Sequence, residues 1–295
     1  MPAHETFDQR ITARMEKMSA AEQRVARVFQ ESKEEVLMTS AAALAAKAGT
    51  SDATVVRTTR TLGFSGMEEL RRSLAAEMKE NLSPATRVAA TLQQVGDGIG
   101  AALEATLNIH QECIERLRRD LSAKLFENAV GLIADAGRTV VFGIGPSSAM
   151  ATYLEIQLRR FGLEASSLTR TGILFADDLQ TLRPRDLVIV LAYGRVYREV
   201  DVLLREARRA KLKAVLITDT LAAPLRDRVE LVLPVARGRA DMFSTHTATL
   251  ALIEALLVGV AAKLPDETLE SLGRLDALRH ELAAGPANLP TLRRP

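Results

Sequence analysis

The sequence is short of cysteine, of long apolar runs and of charge imbalance, and each shortage removes a class of protein. One cysteine, Cys113, in 295 residues excludes an internal disulfide framework and a cysteine-rich zinc site, and no metal site is expected. The longest stretch low in charge, residues 246–263, is interrupted by Glu254 and falls short of the ~18–20 apolar residues of a membrane span. The opening run MPAHETFDQR has neither the basic start nor the apolar core of a signal peptide, so a cytoplasmic chain with no membrane partner is expected. Lys and Arg number 39 against 37 Asp and Glu, and a net charge of +2 neither demands nor forbids nucleic acid. What remains is ordinary for a folded globular chain: 47% hydrophobic and 26% charged residues. At ~100–200 residues per domain, the length fits two domains.

The pattern changes near residue 80. Short helical pieces precede it, and from about residue 138 apolar β-branched runs alternate with amphipathic helices. Between them, Ser83-Pro84 and Gly96-Asp97-Gly98 are linker signals. Ile99, Leu103, Leu107, Ile114, Leu117 and Leu121 then recur at helical spacing, which predicts one long helix joining two domains. The expected boundaries are a helical domain over 1–80, a linker and connecting helix over 81–121, an α/β domain over 122–282 and a tail over 283–295.

Helix starts are legible in the first part. Ser19-Ala-Ala-Glu22 and Ser65-Gly-Met-Glu68 read as capping boxes, in which serine accepts a free backbone N–H and glutamate reaches back to the cap. Between them, Thr39 or Ser40 can cap an alanine-rich helix over 41–48 that Gly49 ends, and Ser51 can cap a second over 52–62 that Gly63 ends. Two short helices across a glycine-containing turn define a helix-turn-helix. Ala45 supplies the small residue at the crossing, Gly49 the residue that tolerates positive φ, and Val55 an apolar residue facing back. Thr58 stands where a second apolar residue is expected. The outward set is Thr50, Ser51, Ala53, Thr54, Arg57, Arg60 and Thr61. Hydroxyls suit phosphates and base edges, and arginine grips guanine O6 and N7 bidentately. Charge is weak support: residues 47–72 hold five basic side chains (Lys47, Arg57, Arg60, Arg71, Arg72) against three acidic (Asp52, Glu68, Glu69). An ordinary helical hairpin in a bundle fits the same pattern.

In the second part, residues 139–144, 187–192, 214–218 and 230–233 read as buried strands; Gly145-Pro-Ser-Ser leads into a helix through Arg160, and a second helix runs from 196 to 210. Such alternation predicts a parallel sheet covered on both faces. The fold class is therefore α/β, an all-α helix-turn-helix domain followed by a parallel-sheet sandwich. Ligands of such sheets lie at the carboxyl ends of the strands. There Gly143 and Gly145 can let backbone approach a ligand, and Ser147 and Ser148 stand at a helix start, where free N–H groups favour anions. The motif Gly-x-Gly-x-x-Ser lacks the third glycine and the acidic partner of a dinucleotide site, and no cofactor is expected. A tight strand-to-helix turn is the plainer reading of the same glycines.

The run TSAAALAAKAGTSDATVVRTTRTLGFSGMEELRRSLAAEM resembles the N-terminal domain of RpiR-type bacterial transcription regulators, and the second part is similar to their sugar-isomerase-type (SIS) domain. The resemblance implies a sequence-specific transcription regulator. Its partners would be double-stranded DNA at a palindromic operator, a small anionic effector such as a phosphorylated sugar, and further copies of itself as a homodimer or homotetramer. In that family a serine at the Ser147 position holds sugar or phosphate. One loop departs: where the family carries Ser-x-Ser-Gly-x-Thr, this chain has Leu191-Ala-Tyr193-Gly194-Arg195-Val196. Each hydrogen bond lost to a desolvated phosphate costs ~1–3 kcal/mol, and Arg195 can offset some of that as a bidentate anion partner. Tyr193 and Tyr197 either stack on a ligand or pack the sheet edge. Ser244 and His246 precede the last apolar helix, where a polar residue can reach the ligand, or where they simply cap the helix. The ligand set is thus Gly143, Gly145, Ser147, Ser148, Tyr193, Gly194, Arg195, Ser244 and His246. Catalysis is not expected. The enzyme alternative, a phosphosugar aldose–ketose isomerase, needs a base, for which Glu155, Glu254 and His246 are the candidates. A protein-interaction module is the third reading of the helical part.

Overall fold

The computed structural model describes residues 7–80, 83–96, 98–239 and 242–283; of the segments read above, residues 1–6, 81–82, 97 and 284–295 lie outside them. The chain forms two compact units that divide between Arg87 and Val88.

The smaller unit contains α1 (Phe7–Arg14), α2 (Ala20–Glu31), α3 (Lys33–Met38), α4 (Ala41–Lys47), α5 (Asp52–Thr61) and α6 (Met67–Glu80). Ser19 caps α2 in a complete box with Glu22. The second box closes differently: Ser65 N and Oγ both donate to Glu69 Oε2, each at 2.6 Å, so the partner is one residue beyond the expected Glu68. The helix starts at Met67, which brings Glu69 rather than Glu68 back over the cap. Val25 and Phe29 of α2, Leu44 and Ala45 of α4, Val55 of α5 and Leu70 and Leu74 of α6 share one core.

α7 (Pro84–Val95) spans the division between the units, and α8 (Ile99–Asp120) follows it as a long helix. Ile109 and Cys113 of α8 are buried in the core of the larger unit, whereas Ile99, Leu103 and Leu107 on the same helix are exposed. The larger unit continues with α9 (Ala123–Ala134), β1 (Arg138–Gly143), α10 (Ser147–Arg160), β2 (Ala165–Leu168), α11 (Phe175–Leu179), β3 (Asp186–Leu191), α12 (Arg198–Arg209), β4 (Lys213–Thr218), α13 (Ala222–Leu225), β5 (Leu231–Pro234), α14 (Thr247–Lys263) and α15 (Pro265–Ala283). The strands form one parallel sheet in the order β2-β1-β3-β4-β5. Successive residues point to opposite faces, as the pleat requires. Val141, Ile189 and Ile217 enter the core beneath α9, α10 and α14, while Val140, Val190 and Leu216 enter the core beneath α12. Strand β2 was not expected from the sequence. At the amino end of the sheet, Arg138 grips the buried Asp186 from the neighbouring strand, with Nε at 3.1 Å and Nη2 at 2.6 Å. Among the described residues no single helix is long and apolar enough to cross a membrane.

Candidate functional site

The helix-turn-helix is built by a C-terminal cap and a side-chain brace. At the end of α4, Thr50 N donates to Ala45 O and Gly49 N to Ala46 O, with Gly49 at φ +60°. This left-handed closure satisfies carbonyls that a helix end leaves open. Arg24 then reaches the turn from α2, donating from Nε to Ala48 O at 3.1 Å and from Nη2 to Gly49 O at 3.2 Å. The sequence reading missed this brace, because nothing local ties residue 24 to residue 49.

Val55, Thr58 and Thr59 form the buried side of α5, and Leu62 is buried just past its end. Thr58 suits its buried place because its hydroxyl donates to Thr54 O at 2.8 Å, so the polar atom costs nothing unpaired. Ala53, Arg57 and Arg60 are exposed and, at spacings of four and three, share the opposite face. Ser51 occupies the cap position, but its side chain accepts no helix N–H; its Oγ lies 3.1 Å from Thr54 Oγ1 instead. Thr50 and Thr54 are half-buried. Thr61 is turned inward, its hydroxyl donating to Glu22 Oε1 at 3.2 Å and to Arg57 O at 3.1 Å. The Ser19 hydrogen bonds hold the Glu22 carboxyl below its ordinary range, with Thr61 and the charge of Arg57 adding to the effect.

In the larger unit the register sets Gly143 beside Leu191 and Leu191 beside Ile217, so the loops after β1, β3 and β4 leave the sheet side by side. In a sheet of this order the crevice between the first and third strands is the switch point where ligands bind. The two glycines after β1 do different things. A Cβ on Gly143 would lie 2.5 Å from Ser147 O, so this glycine lets the strand end meet its own helix. Gly145, at φ +56°, faces open space. Ser147 is buried and its hydroxyl makes no hydrogen bond among the described residues, whereas Ser148 Oγ donates to Gly145 O at 2.7 Å.

The loop after β3 is largely satisfied from within. Tyr193 is buried, its hydroxyl 3.0 Å from Thr249 Oγ1 of α14, and burial raises its phenol above the ordinary value. Tyr193 therefore packs the strand end. Gly194, at φ +69°, donates its N–H to Asp219 Oδ1 at 3.0 Å. Arg195 is exposed and stacks on the half-exposed Tyr197 ring, 4.5 Å from its centroid. Against Tyr193, the Arg237 guanidinium lies 4.7 Å from the ring centroid and the His246 ring meets it edge-on at 5.6 Å. Both ring nitrogens of His246 and the hydroxyl of Thr245 are buried with no hydrogen-bond partner among the described residues. Burial, reinforced by the nearby positive charge of Arg237, lowers the His246 pKa to about 4, so the ring is neutral at neutral pH. Ser244 is half-buried two residues earlier. Arg237 and Thr249 were not singled out in the sequence, since only the return of the chain after β5 and the packing of α14 bring them to Tyr193.

The three candidate bases are dispersed. Glu155 accepts from Ser167 Oγ at 2.5 Å and pairs with Arg159 at 3.5 Å, and Glu254 accepts from the Tyr153 hydroxyl at 3.3 Å. His246 alone stands at the strand ends.

Residues 6–81 match the helix-turn-helix domain model of the rpiR family, and residues 132–259 match the SIS domain model. The HTH-type transcriptional regulator HexR of Pseudomonas aeruginosa is 26% identical over 267 residues, spanning 86% of this chain and 89% of its own. The sugar isomerase domain of an RpiR transcription factor from Sphaerobacter thermophilus superposes with a TM-score of 0.54 at 26% identity, over 59% of this chain and 97% of that one. The Vibrio vulnificus NanR protein, solved in complex with ManNAc-6P, shares the fold over 95% of this chain and 100% of its own, with a TM-score of 0.56 and 21% identity.

Proposed function

The chain belongs to the rpiR family of helix-turn-helix regulators that carry a SIS domain, and from this we propose that it is a transcription regulator whose operator affinity is set by a small anion, a phosphorylated sugar or a related compound. The observation that carries the DNA half is the face of α5: a braced turn presents Ala53, Arg57 and Arg60 outward while Val55, Thr58 and Leu62 hold the helix down. Ser51, Thr50 and Thr54, near the start of that helix, complete the reading surface, since the first turns of a recognition helix make most base contacts. Two such helices on a symmetric dimer enter successive major grooves about 34 Å apart and read a palindrome. The exposed strip Ile99, Leu103 and Leu107 of α8 offers an apolar surface to a second copy.

The effector site in this proposal lies at the carboxyl ends of β1 and β3, around Ser147, Tyr193 and His246. An effector acts only by binding unequally to DNA-competent and DNA-incompetent states. The segment after β5 is the route from that site. Arg239 pairs bidentately with Glu112 of α8, at 3.0 and 2.5 Å, and Phe243 N donates to Thr91 Oγ1 of α7 at 2.8 Å. Movement of Arg237 or His246 on binding is thereby passed to the helices that follow the reading unit in the chain. The protein acts inside the cell in this account and is not an isomerase; of the three candidate bases, Glu155 and Glu254 are engaged elsewhere. DNA affinity measured as a function of salt tests the DNA half. A steep fall, from release of counterions, is expected; binding indifferent to salt would instead favour apolar docking of the helical unit to a protein.

A further inference from the structure

Three polar atoms on neighbouring residues, His246 Nδ1, His246 Nε2 and Thr245 Oγ1, are buried without partners among the described residues, and the Arg237 guanidinium shares the Tyr193 ring with His246. Buried polar groups are nearly always hydrogen-bonded, and orphaned ones mark a place where something else supplies the bonds. A neutral imidazole offers one donor and one acceptor, which is what a hydroxyl complements. A guanidinium beside it complements an anion.

The loop after β3 has the opposite character. Its glycine, Gly194, already gives its N–H to Asp219 Oδ1 at 3.0 Å, and the same oxygen accepts from Thr220 Oγ1 at 3.1 Å. A carboxylate from the end of β4 thus sits where an external anion would take that N–H. A phosphate brought to the same backbone would meet like charge at hydrogen-bonding range. Arg195, the cation of the loop, lies on Tyr197.

We propose that Asp219 is a specificity-determining residue of this sensor, a built-in anion that closes the β3 loop, and that the effector is a small hydroxylated anion whose charge is received by Arg237 and whose hydroxyls meet His246 and Thr245. This rests on the sensing reading given above. It moves the charged end of the ligand from the loop after β3 to the segment after β5, and so to the residues tied to α7 and α8.

Calorimetric titration of the full-length protein tests it, with inorganic phosphate, a hexose 6-phosphate and gluconate as probes. The last two separate a phosphate from a carboxylate as the source of charge. The hydroxylated probe that binds the unaltered protein loses at least tenfold in affinity in Arg237→Gln, recovers part of it in Arg237→Lys, and changes less than twofold in Arg195→Gln. Asp219→Ala opens the Gly194 N–H, and Asp219→Asn removes the charge alone; inorganic phosphate gains at least tenfold in either one. Melting curves identify any variant that fails to fold, and Arg237→Lys and Asp219→Asn are the milder changes in each pair. Loss of binding in Arg195→Gln with retention in Arg237→Gln overturns the assignment, as does phosphate affinity indifferent to both changes at Asp219, while the sensing reading survives. If none of the probes binds the unaltered protein, the sensing of hydroxylated anions fails, and this assignment with it.

Discussion

Phe243 N donates to Thr91 Oγ1 across 2.8 Å, fastening the segment that carries Arg237 and His246 to α7, the helix whose residues span the division between the two units. If this bond transmits the effector's signal, Thr91→Val leaves effector binding within about twofold and shrinks the effect of effector on operator affinity. Coupling between sites is typically 1–3 kcal/mol, and loss of a substantial part of it is expected. Effector-induced melting shifts and operator affinities, measured on the same preparation, separate the two quantities. Undiminished coupling in Thr91→Val would place the route elsewhere.

The two hydroxyl and guanidinium neighbours on α5 predict opposite outcomes. Arg57 is exposed on the reading face, so Arg57→Ala weakens operator binding by about 1–3 kcal/mol and relaxes base choice at its position. Thr61 spends its hydroxyl on Glu22 and Arg57 O, so Thr61→Val leaves base preference as it was. Competition with operator variants of single altered base pairs reads both.

The glycines after β1 also divide. Gly143→Ala forces a methyl to 2.5 Å from Ser147 O, and overpacking of this kind costs about 1–3 kcal/mol, seen as a lowered melting temperature of the larger unit. Gly145→Ala meets no atom within 4 Å and carries only the strain of φ +56°, about 1–2 kcal/mol. A Gly143→Ala variant that melts with the unaltered chain would contradict the close packing of this glycine against its own helix.

His246 predicts a pH dependence. Its pKa is lowered by burial, and then by Arg237, from 6.5 to about 4. Well above pH 6.5 the ring is neutral in folded and unfolded chains alike and contributes nothing to the pH dependence. As the pH falls from 6.5 toward 4 the unfolded chain takes up a proton that the folded one does not, so stability declines across that window and levels off below it. His246→Gln, which cannot titrate, loses less stability between pH 7 and pH 5 than the unaltered chain. Parallel stability curves would show that the imidazole is not held neutral.

Much of the architecture was legible because it is written in local chemistry. Gly49 and Gly63 ended the helices of the reading motif, and alternating apolar runs marked four of the strands. Strand β2 escaped because its four residues, Ala-Ser-Ser-Leu, are short and half polar, and they become a strand only by pairing with β1. Glu69 displaced Glu68 from the second capping box because the helix begins two residues after the serine. The ligand end was read less completely. Its glycines and serines follow a strand and can be found by motif, but Arg237 reaches Tyr193 across 44 residues of sequence, and Asp219 reaches Gly194 across 25. The loop sequence drew attention to Arg195, which lies on Tyr197, while a second guanidinium, Arg237, lies on Tyr193 beside His246 and carries no motif that marks it.

The most direct measurement is selection of bound sequences from a random pool of DNA duplexes, followed by titration of the selected duplex with and without the hydroxylated anion that raises the melting temperature. A two-fold symmetric sequence with half-sites one helical turn apart is expected, with an operator affinity that the anion shifts at least tenfold. A pool with no sequence enriched, or an operator affinity that stays the same while the anion is bound, would contradict it.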